Sequence, residues 1–161
     1  MNAVLDHAAR GGAVMGICNG FQVLTETGMV PGVLIRNAGL KFSCRNVGLQ
    51  LCETLASPFT DSLDPSENLT IPIAHNEGNY FADVDELDRI ESNGQVAFRY
   101  AARDAVGPAN PNGASRDIAG VLSSNGRVLG MMPHPERAMS KLHGGTDGAK
   151  FLLKSLEALV S

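Results

Sequence analysis

Five residues constrain this chain more than any others: Gly16-Ile17-Cys18-Asn19-Gly20, set between an apolar run from Ala13 to Ile17 and a helix predicted over Asn19 to Thr27. A short apolar run of this kind suits a buried parallel strand. The passage from strand to helix across Cys18 demands a tight turn, and side chains two residues to either side would collide as the two elements close up. On this reading Gly16 and Gly20 both remove that collision. The pattern is that of a nucleophile elbow with cysteine in place of serine. It would leave the Cys18 thiol at a helix N-terminus, where free N–H groups and the helix dipole favour a thiolate. It would also aim the Asn19 N–H at an oxyanion formed on an attacked carbonyl. The same residues fit a blander alternative, a small core cysteine in a turn shaped by glycines.

A second segment weighs against that alternative. Pro133-His134-Pro135-Glu136 follows a strand-like run, which puts it at a strand end, where open α/β sheets carry their sites. Side chains at i and i+2 of an extended chain point the same way, so His134 and Glu136 can touch. Pro135 fixes its own φ and pushes His134 out of the helical region. A carboxylate bonded to one imidazole nitrogen fixes the tautomer and leaves the other nitrogen to deprotonate a thiol. Taken alone, the segment is also compatible with a rigid surface loop. Combined with an elbow cysteine it reads as a nucleophile, base and orienting acid: Cys18, His134 and Glu136.

The rest of the chain bounds what such a site can be. Its 161 residues suffice for one compact domain with a sizeable core. The 43% hydrophobic and 19% charged residues are those of an ordinary globular protein, and the net charge of -4 with scattered Lys and Arg argues against nucleic acid as a partner. No apolar run is long enough to span a bilayer, so no membrane partner is expected. Met1 to Arg10 is not patterned as a signal peptide. Three cysteines without CxxC spacing point to free thiols in a reducing, cytoplasmic setting and to no metal site. Cys44 and Cys52 are expected to be buried and inert, and His7 and His143 to face solvent.

Periodicity predicts an amphipathic helix over residues 1–10 with Val4, Leu5, Ala8 and Ala9 on one face, and a half-buried strand through Val47, Leu49 and Leu51. A strand over Leu69 to Ala74 carries Pro72 and so belongs at an edge or has its end there. Asp83 and Glu86 resemble a capping box opening a helix through Ile90. A strand over Val96 to Ala101 precedes a Pro/Gly/Asn-rich loop from Gly107 to Gly113. A hairpin pairs Ile118–Leu122 with Val128–Met132 across Asn125-Gly126. A last helix is expected to bury Phe151, Leu152, Leu156, Leu159 and Val160. The sum is an α/β fold with a mixed sheet.

Gly16-Ile-Cys18-Asn-Gly20-Phe-Gln22 together with Pro133-His134-Pro135-Glu136-Arg137 resembles the class I glutamine amidotransferases. Leu34-Ile-Arg36-Asn37, Phe42-Ser-Cys44-Arg45, Pro72-Ile-Ala-His75-Asn-Glu77-Gly78 and Asn110-Pro-Asn112-Gly113 narrow the likeness to the glutaminase subunits that serve de novo purine synthesis. The resemblance implies a flavodoxin-like open mixed sheet with helices on both faces. It implies that Cys18 attacks the side-chain amide of L-glutamine through a glutamyl thioester, with His134 as base and then acid and Asn19 as an oxyanion donor. Gln22 and the segment holding Asn37, Phe42 and Ser43 match positions that hold glutamine. No cofactor is implied for this chain. ATP and Mg would be used by a large synthetase partner that converts formylglycinamide ribonucleotide to the amidine, and a small third subunit would accompany the pair.

His75 and Glu77 either line the site or sit on the surface, and Asn110 to Gly113 is either a recognition loop or a local turn. The resemblance further implies a single glutamine amidotransferase domain over 1–161 without its N-terminal portion. Family members carry strands and a glycine-bearing loop ahead of the first helix, and that loop supplies the other oxyanion N–H. Ala13 to Ile17 would then be an open apolar edge. Another cysteine glutaminase, a γ-glutamyl hydrolase and a non-catalytic docking module are the competing functions.

Overall fold

A computed structural model describes residues 1–102 and 108–160. Its elements run α1 (Asn2–Ala9), β1 (Val14–Ile17), α2 (Asn19–Glu26), β2 (Val33–Ile35), β3 (Ser43–Leu51), β4 (Leu69–His75), β5 (Asn79–Phe81), α3 (Val84–Ser92), β6 (Val96–Ala101), β7 (Ile118–Leu122), β8 (Val128–Met131) and α4 (Asp147–Val160). Among these residues a six-stranded sheet has the order β1-β8-β7-β6-β3-β4, and β2 pairs with β5 in a separate ribbon. β1 runs parallel to β8 and every other pair in the large sheet is antiparallel, so the sheet is mixed. β4 is an outer strand, the position that Pro72 requires, and β1 is the other.

The register explains how helices cover both faces. In β8, Gly130 and Met131 point to opposite sides. A side chain on Gly130 would meet the Phe21 ring of α2 at 2.1 Å, so α2 lies on that side. On the other side Gly120 sits between Met131 and Phe98, and Phe98 packs edge-on against Phe151 of α4 at 5.6 Å between centroids. Gly16 and Gly130 are register partners, so α2 crosses the sheet over a pair of glycines. A side chain on Gly16 would strike Leu24 at 2.5 Å and the Gly20 carbonyl at 2.7 Å. Phe21 also stacks on Tyr80 of the small ribbon, which ties the ribbon to the same helix.

Local signals behave as their chemistry dictates, with exceptions. Asp83 caps α3 by accepting the Glu86 N–H at 2.8 Å, while the Glu86 carboxylate turns to Arg89 and leaves the capping box half made. α1 buries none of its residues fully, and Ala8 of its apolar stripe packs against the core while Val4 and Leu5 are exposed. α4 meets the core through Gly148, Phe151 and Ser155, whereas Leu156 and Val160 are exposed. That offset from the expected stripe has a steric cause: a side chain on Gly148 would lie 1.9 Å from the Pro135 carbonyl, so the start of α4 presses on the turn after His134. Gly107 lies outside the described residues.

Gly130→Ala should destabilise the fold by about 1–3 kcal/mol, because neither Phe21 nor the strand can yield the space. Gly145→Ala, with nothing within 4 Å of its new carbon, should stay within roughly 0.5 kcal/mol. Urea unfolding of the two variants measures both.

Candidate active site

Parallel pairing of β1 and β8 sends both strand ends to one side of the sheet, and the pairing continues past β1: the Cys18 N–H donates to the Met131 carbonyl at 2.8 Å. Cys18 and the segment Met132 to Glu136 therefore leave the sheet side by side. Cys18 has φ 52° and ψ -106°, a backbone state that costs a non-glycine residue on the order of 1–3 kcal/mol and that the elbow imposes. The glycine argument holds at Gly16 and fails at Gly20. Gly16 is where strand and helix meet, whereas a side chain on Gly20 would have open space.

His134 is held through its backbone and one ring nitrogen. Its N–H donates to the Pro72 carbonyl of β4 at 2.8 Å, and its Nδ1 stands 2.6 Å from Glu136 Oε1. A carboxylate only accepts, so Nδ1 carries the proton. Nε2 is buried without a hydrogen-bond partner, its lone pair free for a proton. Arg137 Nε approaches the same Glu136 oxygen at 3.5 Å.

The thiol is not a resting thiolate. Burial pushes its pKa up, and the opposing pulls of the Asn19 N–H and of Arg137 do not offset it. The S–H group points at the Ala74 carbonyl across 3.9 Å. The pull of the helix N-terminus is thus outweighed by burial, and a base is needed to take the proton.

A cavity of about 280 Å³ opens at Cys18, with Asn19 and Gln22 on one flank and Ala74 to Glu77 on the other. His75 and Glu77 thus line the cavity, an alternative that the sequence left open. Gln22 also lines it, though its amide is turned along α2 to Glu26 at 2.9 Å. Asn37, Phe42 and Ser43 are not on the lining. The Asn37 side chain is buried and spent: Nδ2 donates to the Lys41 and His75 carbonyls at 2.8 and 3.0 Å, and Oδ1 accepts from the Gly78 N–H at 3.0 Å. Phe42 is 64% exposed, and Ser43 opens β3 opposite His75.

Cys44 is exposed, against the expectation of a buried thiol, because it lies on the sheet's outer strand pair opposite Ala74; Cys52 is half-buried. His7 is exposed, with its ring within 3.3 Å of the Ala13 carbonyl, and the side chain of His143 lies outside the described ones. No helix among the described residues is long and apolar enough to cross a membrane, and no three of their His, Cys, Asp or Glu side chains are placed to hold a metal.

His75 is almost wholly buried, and burial together with the facing His134 pulls its pKa down from 6.5 to about 4. A histidine with a depressed folded pKa contributes stability that is fully present above its unfolded value and fades as pH falls toward the folded one. Lowering the pH from 7 to 5 should therefore cost about 2 kcal/mol through this residue, at roughly 1.4 kcal/mol per pH unit across the window. Urea unfolding at the two pH values, compared with His75→Gln, isolates that share. An equal loss in the variant would assign it to other groups.

Residues 1–147 match the family model of the CobB/CobQ-like glutamine amidotransferase domain. The chain is 58% identical over 146 residues to the phosphoribosylformylglycinamidine synthase subunit PurQ of Roseobacter denitrificans, covering 91% of this chain and 62% of that protein. It is 52% identical over 160 residues to the corresponding subunit of Novosphingobium aromaticivorans, covering 99% of this chain and 68% of that one. The structure of PurLQS from Thermotoga maritima superposes with a TM-score of 0.80 at 40% identity, over 97% of this chain and 66% of the other. The chain thus spans about two thirds of the length of these relatives, and 62% of the first. A family match over nearly the whole chain, joined to this cysteine–histidine–glutamate arrangement at one sheet end, makes the chain a member of the glutamine amidotransferase family.

Proposed function

We propose that this chain carries the glutaminase site of a phosphoribosylformylglycinamidine synthase, releasing ammonia from L-glutamine. The observation that carries this reading is His134: a buried imidazole with Glu136 on Nδ1 and nothing on Nε2, beside an elbow cysteine. The free lone pair is what a general base needs, and Glu136 stabilises the imidazolium that forms when it is used.

Cys18 Sγ attacks the amide carbon of glutamine as its proton passes to His134 Nε2. The carbonyl oxygen becomes an oxyanion that accepts from the Asn19 N–H. Collapse of this intermediate breaks the C–N bond, and the proton on Nε2 leaves with the nitrogen as ammonia. A glutamyl thioester remains on Cys18. Water then attacks it, His134 takes the water proton, and glutamate departs as the thiol is restored. Of the residues flanking the cavity only Glu77 is a carboxylate, which suits the α-ammonium of the substrate, with Gln22 on the opposite side. Ammonia passes to a large synthetase subunit that uses ATP to form formylglycinamidine ribonucleotide, in an assembly with a small third subunit. Two PurQ relatives and a PurLQS neighbour with the same fold support this assignment.

In the assembly with the synthetase subunit, glutamine hydrolysis should depend on the synthetase's own substrates, since free ammonia is wasted glutamine. Full turnover with no partner would favour an independent hydrolase. His134→Ala should remove nearly all activity, roughly 10⁵-fold, and Glu136→Ala should cost about tenfold to a hundredfold less, because it removes only orientation and charge support. If His134→Ala kept most of its activity, the base would lie elsewhere. A chloroketone analogue of glutamine should label Cys18 and spare Cys44 in peptide maps, even though Cys44 is the more exposed thiol. Even labelling of the two would remove Cys18 from the nucleophile's role.

A further inference from the structure

Three separated segments meet behind the cavity in a closed polar knot. Asn37 follows β2, His75 ends β4, and Asn112 lies in the loop before β7. All three are almost fully buried. The Asn37 N–H donates to the Asn76 carbonyl and the Ala38 N–H to the Asn112 carbonyl, each at 2.9 Å. Asn112 Nδ2 donates to the Gly78 carbonyl at 2.6 Å and reaches the Tyr100 hydroxyl at 3.1 Å, while its Oδ1 accepts from the Ala114 N–H at 3.1 Å.

These bonds decide the state of His75. Both hydrogens of the Asn37 amide are spent on carbonyls, so the group left to meet His75 Nδ1, at 3.1 Å, is Oδ1, an acceptor. Nδ1 must therefore carry the proton. Nε2 is then an acceptor, and it lies 3.5 Å from Asn112 Nδ2, a long contact because the two hydrogens of that amide go to the Gly78 carbonyl and the Tyr100 hydroxyl. Asn112 cannot turn its amide around without losing both the Gly78 carbonyl and the Ala114 N–H. The ring also lies on the backbone of Gly78, where any side chain would stand 2.3 Å from it.

What the knot holds is one wall of the cavity. Residues 74–77 face Cys18, Asn19 and Gln22. The same strand end touches both reacting groups, through the Ala74 carbonyl near Cys18 Sγ and the Pro72 carbonyl on the His134 N–H. We propose that His75, locked as its Nδ1–H tautomer between Asn37 and Asn112, is a positioning residue that fixes the turn 74–78 and thereby sets the cavity's fit to the amino-acid end of the substrate. This rests on the glutaminase reading above and adds to it a residue whose ring bonds to Asn37 rather than to the thiol or the base. The groups facing His75 are His134 after β8, Tyr100 of β6 through Asn112, Cys18 across the cavity, and Glu77 in its own turn. A proton on Nε2 would set N–H against N–H at Asn112 and a charge against His134, so the lock works only with a neutral ring.

A glutamine side chain can reproduce the lock, donating to Asn37 Oδ1 and presenting its oxygen toward Asn112 Nδ2, whereas leucine cannot. Assayed with the synthetase partner, His75→Leu should raise KM for glutamine about tenfold or more with a smaller fall in kcat, as expected for one buried hydrogen-bonded group lost. His75→Gln should recover most of that loss. Asn112→Ala, which removes the Nε2 contact together with the bonds to Gly78, Tyr100 and Ala114, should raise KM as well. The rate at which iodoacetamide modifies Cys18 should stay within about twofold in all three, while labelling by the glutamine chloroketone slows in step with KM. Equal effects of Leu and Gln, or parallel losses toward both reagents, would overturn the proposal and leave His75 a stability residue only. Wild-type protein that accepts iodoacetamide at Cys18 and ignores the chloroketone would overturn the glutaminase reading itself, and this proposal with it.

Discussion

The approach of α2 to the paired glycines Gly16 and Gly130 is the contact on which the site depends. Both lie at one level of the β1–β8 ladder, on the face that α2 covers, and a side chain on either would strike the helix. With the helix this close, the turn between Ile17 and Asn19 has room for one residue, and that residue must take the strained dihedrals seen at Cys18. The helix N-terminus, the Asn19 N–H and the thiol thus acquire their places from a packing distance rather than from any polar bond. The same ladder delivers His134, because parallel strands end on the same side and the Cys18 N–H extends the pairing to Met131. A slip of one residue in that register would turn Gly130 away from Phe21 and put Met131 in its place, so packing defends the register that catalysis needs.

The electrostatics divide the work between two partners. Burial holds the thiol protonated, and the local positive influences do not reverse that. The proton rests toward the Ala74 carbonyl across 3.9 Å, a weak contact that costs little to give up. Opposite it, the His134 lone pair has no donor. A cysteine kept as S–H is protected from adventitious oxidants that prefer the thiolate, and it becomes nucleophilic only as the imidazole accepts its proton. Glu136 makes that transfer favourable by compensating the new charge, and its exposure to solvent limits how strongly it does so.

Much of this was legible in the sequence where chemistry is local. The elbow spacing, the His-Pro-Glu segment, the Asp83 cap, the Asn125-Gly126 hairpin and the strand over Val96 to Ala101 all follow from turn geometry, dihedral limits or alternation along a few residues. What was not legible depends on distant packing. The β2–β5 ribbon is made of three-residue strands 43 residues apart between Ile35 and Asn79, too short for a period to register. The stripe of Leu156 and Val160 in α4 promised a core face, but Gly148 against the Pro135 carbonyl sets the helix's rotation and turns that stripe outward. Gly20 read like Gly16 from spacing alone, yet only one of the two stands where helix meets sheet. Asn37 carried the signature of a substrate contact and is instead consumed by His75, Gly78 and Lys41, because an amide with four bonding positions can satisfy a crowded turn completely.

The two halves of the site are consequently built on different physics. Cys18 and His134 stand at the ends of adjoining strands of an apolar core, whose rigidity comes from close packing. The opposite wall, residues 74–78, owes its shape to polar bonds among Asn37, His75 and Asn112, all nearly fully buried. Such a network is favourable only when every member is satisfied, and losing one leaves the others buried and unpaired. The reacting groups are therefore placed by close packing and the substrate-fitting surface by polar bonds. The knot, unlike a packed apolar contact, cannot be varied one member at a time. That is why three polar segments, far apart in sequence and unremarkable one by one, have to be read together before any of them makes sense.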